Sequence, residues 1–287
     1  TVPHDLAQGE QPAPMGDEIS QPNPTAFLPV PPTAAQEPVI QEPTMTPTKR
    51  EQPLTLTILY DNNPFDSRLR TAWGFSALLE YESSILLFDT GGDAGTLLFN
   101  MDVLGKDPSR IESVVLSHIH DDHTGGVDGL LSQGLGATVY VPPSFGTAFK
   151  NRIAARVPVV EVTAGLPLAK NVFSTGEMGT SIHEQALVVK TARGLVVITG
   201  CAHPGVVSIV ARARELFDQP VYLVLGGFHL GNARQAELEE ILSSFREMGV
   251  QKVAPCHCTG ERAIAAFREA YGEDFIPAGV GFSIVIE

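Results

Sequence analysis

The sequence predicts an α+β fold: two mixed sheets packed face to face with helices outside, a four-layer αββα sandwich. Two patterns carry that expectation. Strand-like runs dominate from residue 54 to 199, and helices and strands alternate from 206 to the end. A third observation sets where the fold begins, because the texture changes abruptly at residue 53. Residues 1–52 hold half of the chain's prolines among Gln, Glu, Thr and Ala. Such a stretch cannot form helices or a packed sheet and has few large apolar groups, so it reads as a Pro-rich, disordered tether.

The elements follow in order. Residues 54–60 alternate as a strand. Two more strands, 75–81 and 85–88, flank a hairpin turn at Glu82-Ser83-Ser84, and Asp89-Thr90-Gly91-Gly92 makes the next turn. Residues 97–104 read as helix and 114–116 as a short buried strand. Strands follow at 138–141 and 157–162, with 142–156 between them as a loop whose Phe145 and Phe149 line a pocket or join the core. Residues 186–190 and 195–199 pair across Ala192-Arg193-Gly194. Helix 206–217, strand 221–225 and helix 237–248 come next. In that last helix Leu238, Ile241, Leu242, Phe245 and Met248 share one face at three- and four-residue spacing. Strand 252–254, helix 261–271 and strand 282–286 close the chain, and no repeat of 20–50 residues is present.

Composition narrows the function classes. The chain has 287 residues, 43% of them hydrophobic, which suffices for a large core. A formal charge of −14 argues against a general nucleic-acid binder, since nothing would neutralise phosphates broadly, but leaves room for a small phosphate-bearing substrate bound at a metal. No apolar run approaches the ~20 residues of a membrane span. The expected partner is a small-molecule substrate. A Pro-rich spacer ahead of the domain fits an exported protein, periplasmic, secreted or surface-tethered, with a cytoplasmic one as the alternative. The three cysteines, Cys201, Cys256 and Cys258, do not make a disulfide scaffold. They gather around histidines instead, which points to a site.

The densest chemistry lies in His118-Ile119-His120-Asp121-Asp122-His123, directly after the strand at 114–116. His118 and His120 are two apart and point the same way in extended backbone. Asp122 and His123 lie past the bend and can face a second ion. Burying this much polar side chain costs several kcal/mol unless something compensates, and a metal ion is the obvious compensation. Three further histidines each follow a strand among small residues: His203 in Gly200-Cys201-Ala202-His203-Pro204-Gly205, His229 in Gly226-Gly227-Phe228-His229, and His257 in Cys256-His257-Cys258-Thr259-Gly260. Strand ends that deliver histidines to one rim build a site. His183, in a polar loop before Glu184, reads as solvated, and His4 belongs to the tether.

These motifs resemble the metallo-β-lactamase superfamily, over roughly residues 54–287. Trp73-Gly74-Phe75-Ser76, the segment around Cys201-Ala202-His203, Gly226-Gly227-Phe228-His229-Leu230 and His257-Cys258-Thr259-Gly260 resemble its dihydropterin synthase-like branch. The resemblance implies the metallo-β-lactamase fold for a catalytic domain at 53–287, with two metals at the rim between the sheets. Carried over by position, His118, His120 and His203 would hold the first metal. Asp122, His123 and His257 would hold the second, and Asp89 would steady the histidine loop from behind. Many superfamily members carry a bridging aspartate where this chain has Cys201. A thiolate there would be a metal ligand and would favour zinc; the alternative is a small cysteine packed under the site. His229 either polarises substrate or acts as a general acid, or it is simply packed behind the ligands.

The expected function is that of a metal-dependent hydrolase. Hydroxide generated at Zn2+ (two sites, with Mn2+ or Fe2+ as alternatives) would attack a small ester, a lactone, or a phosphodiester or other phosphoester. Asp122 would both ligate and orient the nucleophile. The alternatives are a dihydropterin synthase-like transferase displacing diphosphate with an aminobenzoate-type amine, and a non-catalytic metal-binding module.

Overall fold

The computed structural model describes residues 52–287. The expected tether therefore lies outside the described residues, apart from Gln52.

In chain order the strands and helices are β1 (Leu54–Tyr60), β2 (Ser76–Tyr81), β3 (Ser84–Phe88), α1 (Ala94–Val103), β4 (Ser113–Val115), α2 (Asp121–Thr124) and α3 (Val127–Leu131). Then come β5 (Thr138–Val141), α4 (Thr147–Ala154), β6 (Val159–Glu161), β7 (Leu166–Ala169), β8 (Val172–Ser174), β9 (Leu187–Thr191) and β10 (Gly194–Thr199). The chain ends with α5 (Val206–Phe217), β11 (Val221–Gly227), α6 (Gln235–Glu247), β12 (Lys252–Cys256), α7 (Glu261–Tyr271) and β13 (Ser283–Ile286).

The strands form two sheets, ordered β13-β1-β2-β3-β4-β5-β6 and β12-β11-β10-β9-β8-β7. Period-two alternation sets the layers. In β10, Val196 and Ile198 face the other sheet, while Leu195 and Val197 face the helices. Both faces are thus buried, which is why this strand reads as an unbroken apolar run. The central core joins Leu56, Ile58, Phe75, Leu79 and Phe88 of the first sheet side to Leu187, Val189, Val196, Leu223 and Leu225 of the second. One outer layer packs Leu97, Met101, Leu130 and Ile153 on the first sheet. The other packs Ile209, Ala213, Leu238, Phe245 and Phe267 on the second. The four-layer αββα expectation holds.

Three local readings change. Residues 147–154 are helix α4, not loop. Phe145 is 2% exposed and Phe149 packs on the same apolar cluster, so these rings are core rather than pocket wall. The hairpin β7–β8 went unforeseen, and the strand expected at 157–162 is confined to Val159–Glu161.

Direction places the site. Strands β3 to β6 run parallel, and so do β10, β11 and β12. Parallel strands bring their carboxyl ends to one edge, where α/β sheets hold ligands. The segments after β4, β10, β11 and β12 carry the six histidines expected at the site; His183 follows β8 instead.

Candidate metal centre

The first group of donors is His118, His120 and His203, whose ligand atoms lie within 4.8 Å of one another. His118 Nε2 and His120 Nδ1 are 3.1 Å apart. For metal–nitrogen bonds of 2.0–2.1 Å in a tetrahedron, the edge between two ligands is about 3.3 Å. The hydrogen-bond network fixes which nitrogen of His118 is bare. Ser117 Oγ donates to Asp89 Oδ2 at 2.7 Å, because a carboxylate only accepts. The hydroxyl oxygen must then accept from His118 Nδ1 at 2.8 Å, which leaves Nε2 as a lone pair facing His120. Burial, reinforced by the neighbouring imidazoles His123, His203 and His120, pushes the His118 pKa far below its ordinary value. His203 Nε2 is buried with no hydrogen-bond partner.

The second group is Asp122, His123, Cys201 and His257. His123 Nδ1 donates to Asp89 Oδ2 at 2.7 Å, and its Nε2 lies 3.2 Å from Cys201 Sγ and 3.7 Å from Asp122 Oδ2. His257 Nε2 is 3.5 Å from the same Asp122 oxygen and has no hydrogen-bond partner. Its tautomer is set by Asn62, whose Nδ2 donates to His257 O at 3.2 Å and so turns Oδ1 towards His257 Nδ1 at 2.9 Å. Asp122 stays ionised: burial opposes this, but the His257 imidazole beside it and the charge of His123 outweigh it and hold the carboxyl well below its usual range.

This donor set fits metal. Two buried imidazole nitrogens are orphaned, three tautomers are turned so that Nε2 faces inward, and donor pairs stand at the edge lengths of a coordination shell. Leaving such atoms without partners costs about 1–3 kcal/mol each, which an ion removes.

A third cluster joins Cys201, His203 and His229. His229 is exposed and stacks on His203 with ring centroids 4.3 Å apart. Its pKa is raised, first by a hydrogen bond with Cys258. His229 thus sits at the open side of the centre. Cys201 is 3% exposed with its sulfur against His123, so it lies at the junction of the clusters rather than beneath them. His183, its side chain 40% exposed and 3.7 Å from Glu177, stands apart from the centre.

The backbone holds these groups under strain. Among the described residues, seven non-glycine residues have positive φ, and four of them are Asp89, Ala202, His229 and His257. Such conformations cost of order 1–3 kcal/mol and persist where surrounding contacts impose them. Gly74 (φ +143°) marks one close approach: a Cβ there would lie 2.5 Å from Asp122 O.

The imposing contacts come partly from residues that sequence reasoning passed over. Glu184, 1% exposed, accepts the backbone N–H of Gly200, Cys201 and Ala202 on Oε1 at 3.1, 2.9 and 2.9 Å, and that of His203 on Oε2 at 2.8 Å. The side chain of its neighbour Gln185 donates to Leu116 O at 2.9 Å, and the Gln185 backbone N–H donates to Ser117 O at 2.9 Å. One dipeptide therefore ties the loop of Cys201 and His203 to the strand that delivers His118. Asp61 accepts His257 N at 3.1 Å, so Asp61 and Asn62 do the same for the last histidine. Asp89, as expected, holds Ser117 and His123 together.

A recess of about 350 Å³ opens beside His203 and His229, walled by Val206, Leu230 and Ile241, with Glu237 and Glu240 on its α6 side. No Lys or Arg lines it. A cavity of about 430 Å³ at Leu98, Asp102 and Pro108 is remote from the histidines.

Fold and donor arrangement together define a four-layer sandwich with a histidine-rich rim between its sheets. The metallo-β-lactamase superfamily model matches residues 74–213. The solved structure of Tm1679, a metal-dependent hydrolase of the β-lactamase superfamily, is 30% identical with a TM-score of 0.69, over 80% of this chain and 98% of that one. The chain belongs to the metallo-β-lactamase superfamily. It is also similar to the 7,8-dihydropterin-6-methyl-4-(beta-D-ribofuranosyl)-aminobenzene-5'-phosphate synthase of Methanocaldococcus jannaschii: 29% identical over 269 residues, 76% of this chain and 92% of that protein. The metallo-β-lactamase fold protein YhfI of Bacillus subtilis shares the fold at 15% identity and a TM-score of 0.62, over 82% of this chain and 99% of that one.

Proposed function

We propose that the protein is a metal-dependent hydrolase acting on a small ester, lactone or phosphoester at a two-metal centre. The observation that carries the reading is the adjacency of two donor groups, His118/His120/His203 and Asp122/His123/Cys201/His257. In this reading His118, His120 and His203 would hold one ion, and Asp122, His123, Cys201 and His257 would hold a second. Zinc suits a set of imidazoles with one thiolate. A pair of such ions would supply a nucleophile at neutral pH and offset the charge that develops on the attacked group.

The chain's own residues do the rest. Asp122, ionised and exposed on one side, orients the attacking water with its free lone pair. His229, at the open side with a raised pKa, carries a proton for the departing group. The apolar recess beside it takes the body of the substrate, and Glu237 and Glu240 disfavour an anion there. A phosphoryl group is accordingly placed at the metals and not in the recess.

A second reading, a transferase that joins an aminobenzoate-type amine to a pterin with loss of diphosphate, is favoured by the named activity of the M. jannaschii relative. A panel of esters, lactones and phosphoesters, assayed with and without an amine acceptor on protein of measured metal content, separates the two. Hydrolysis that is metal-dependent, acceptor-independent and lost in His118→Ala supports the hydrolase. Product formed only with the amine supports the transferase. Metal bound with neither activity supports a binding module.

A further inference from the structure

Exposed large apolar side chains among the described residues include Trp73 and Ile119. Both stand at the metal centre. Ile119 lies between His118 and His120 and is 41% exposed. Trp73 is 60% exposed, and its ring centroid is 5.1 Å from that of His257 with the planes tilted by 49°. Its backbone, in contrast, is pinned. Phe75 N donates to Asp122 O at 3.2 Å, and Gly74 is pressed so closely on the same carbonyl that no side chain fits. Phe75 itself is fully buried in the central core. The indole is thus presented at a fixed position on the rim while one of its faces remains in water.

A mobile loop can expose a tryptophan incidentally. A tryptophan whose next two residues are fixed on the histidine loop, while Ala72 before it donates to Asp61 O at 3.3 Å, and whose ring stands beside a metal-facing imidazole, is a preorganised surface. Its chemistry selects the occupant. The large flat π face gains most from another planar ring. Aromatic faces gain less from a puckered ring of equal size.

We propose that Trp73 is a specificity-determining residue, and that the substrate lays a planar aromatic or heteroaromatic ring on it while its reacting group reaches the centre beside His257. This rests on the reading that substrate reacts at the histidine centre, but its test needs no turnover. Trp73 is the only tryptophan in the chain, so intrinsic emission reports on this one position.

The experiment titrates the zinc-loaded full chain with phenylphosphonate and with cyclohexylphosphonate, which share the metal-seeking group and differ in ring planarity. Emission and calorimetry are read together, with zinc content measured on every sample. Phenylphosphonate should perturb the emission saturably and bind about tenfold more tightly than its saturated counterpart, as base–aromatic stacking would. Trp73→Leu, with native zinc content, should bind the two equally, and Trp73→Phe should restore most of the preference. Equal affinities in the native chain, an unperturbed indole, or a preference that survives in Trp73→Leu would overturn the proposal. So would emission that depends on protein concentration alone, which would mark the indole as covered by a second copy. Absence of hydrolysis across the substrate panel leaves this test intact, and failure of the stacking test leaves the hydrolase reading intact.

Discussion

Replacing Glu184 by Gln changes one atom and should unfasten half of the metal centre. The carboxylate accepts four backbone N–H groups, three on one oxygen and one on the other, in a site only 1% exposed. An amide keeps one acceptor oxygen. Its NH2 group must then meet a backbone N–H, that of His203 in the least disruptive rotamer, donor against donor. One charge-assisted bond is lost, about 1.5–3 kcal/mol, and a buried N–H is stranded, about 1–3 kcal/mol. The sum, about 2.5–6 kcal/mol, falls on the segment that presents both Cys201 and His203. Part of it will be absorbed by movement of that segment. What reaches the metal should be about 100-fold in zinc affinity, the upper end of the effect of residues that orient ligands from behind. The assay is competition against a chromogenic chelator, run with thermal unfolding of the metal-free protein and with Glu269→Gln as an exposed control. Native zinc affinity in Glu184→Gln would refute the argument. A lowered metal-free Tm with unchanged affinity would refute it equally, because the carboxylate would then serve the fold and not the centre.

Two further substitutions divide the site. Asn62→Leu removes the acceptor that holds His257 Nδ1–H, and should weaken one zinc equivalent at least tenfold while the other stays native, read by titration of metal-free protein with zinc. Cys201→Ala should abolish the sulfur-to-metal charge-transfer band of the cobalt-substituted protein and lower its stoichiometry. A band that survives in Cys201→Ala but vanishes in Cys258→Ala would move the thiolate ligand to Cys258.

What could be read from the sequence was what neighbouring residues encode. The His118–His123 cluster is local, and the runs at β10 and β11 announce strands buried on both faces. Histidines placed after β10, β11 and β12 were legible for the same reason: each stands beside the strand that carries it. The residues that lock the histidines were not legible. Asn62 and His257 are 195 positions apart, and Glu184 meets amides 16 to 19 positions downstream. Backbone amides carry no sequence signal, so a glutamate bound to four of them looks like any other glutamate in a polar loop. The missed hairpin has a different cause. Strand β7 contains Pro167 and lies at the sheet edge, where a missing N–H is tolerated, and β8 is only three residues long. Helix α4 reads as loop in the sequence because a single residue, Ile153, is fully buried along it, too few to show a helical period.

The charges behind the histidines make a last demand on the centre. Asp61, Asp89 and Glu184 are 0%, 0% and 1% exposed. Among the described residues no Lys or Arg forms an ion pair with any of them; the cationic partner in reach is imidazole, as His123 is for Asp89. Burial pushes both the Asp61 and the Glu184 carboxyl up to about 6. His123 shows the complementary strain: burial disfavours its protonation, yet the charge of Asp89 holds its pKa above the ordinary value. Carboxylates crowded behind imidazoles whose Nε2 atoms face one another call for positive charge at the centre, and bound divalent ions provide it without protonating a ligand. Metal binding should therefore be coupled to stability well beyond the ligand loops. With free metal at 1,000 times Kd, one ion adds about 4 kcal/mol, which in a domain of this size is a shift in Tm of roughly 8–16 °C. Calorimetry with and without chelator measures it. A shift below about 2 °C would mean that the centre is already balanced without ions, and the three carboxylates buried around it would then have no need of a metal to offset their charge.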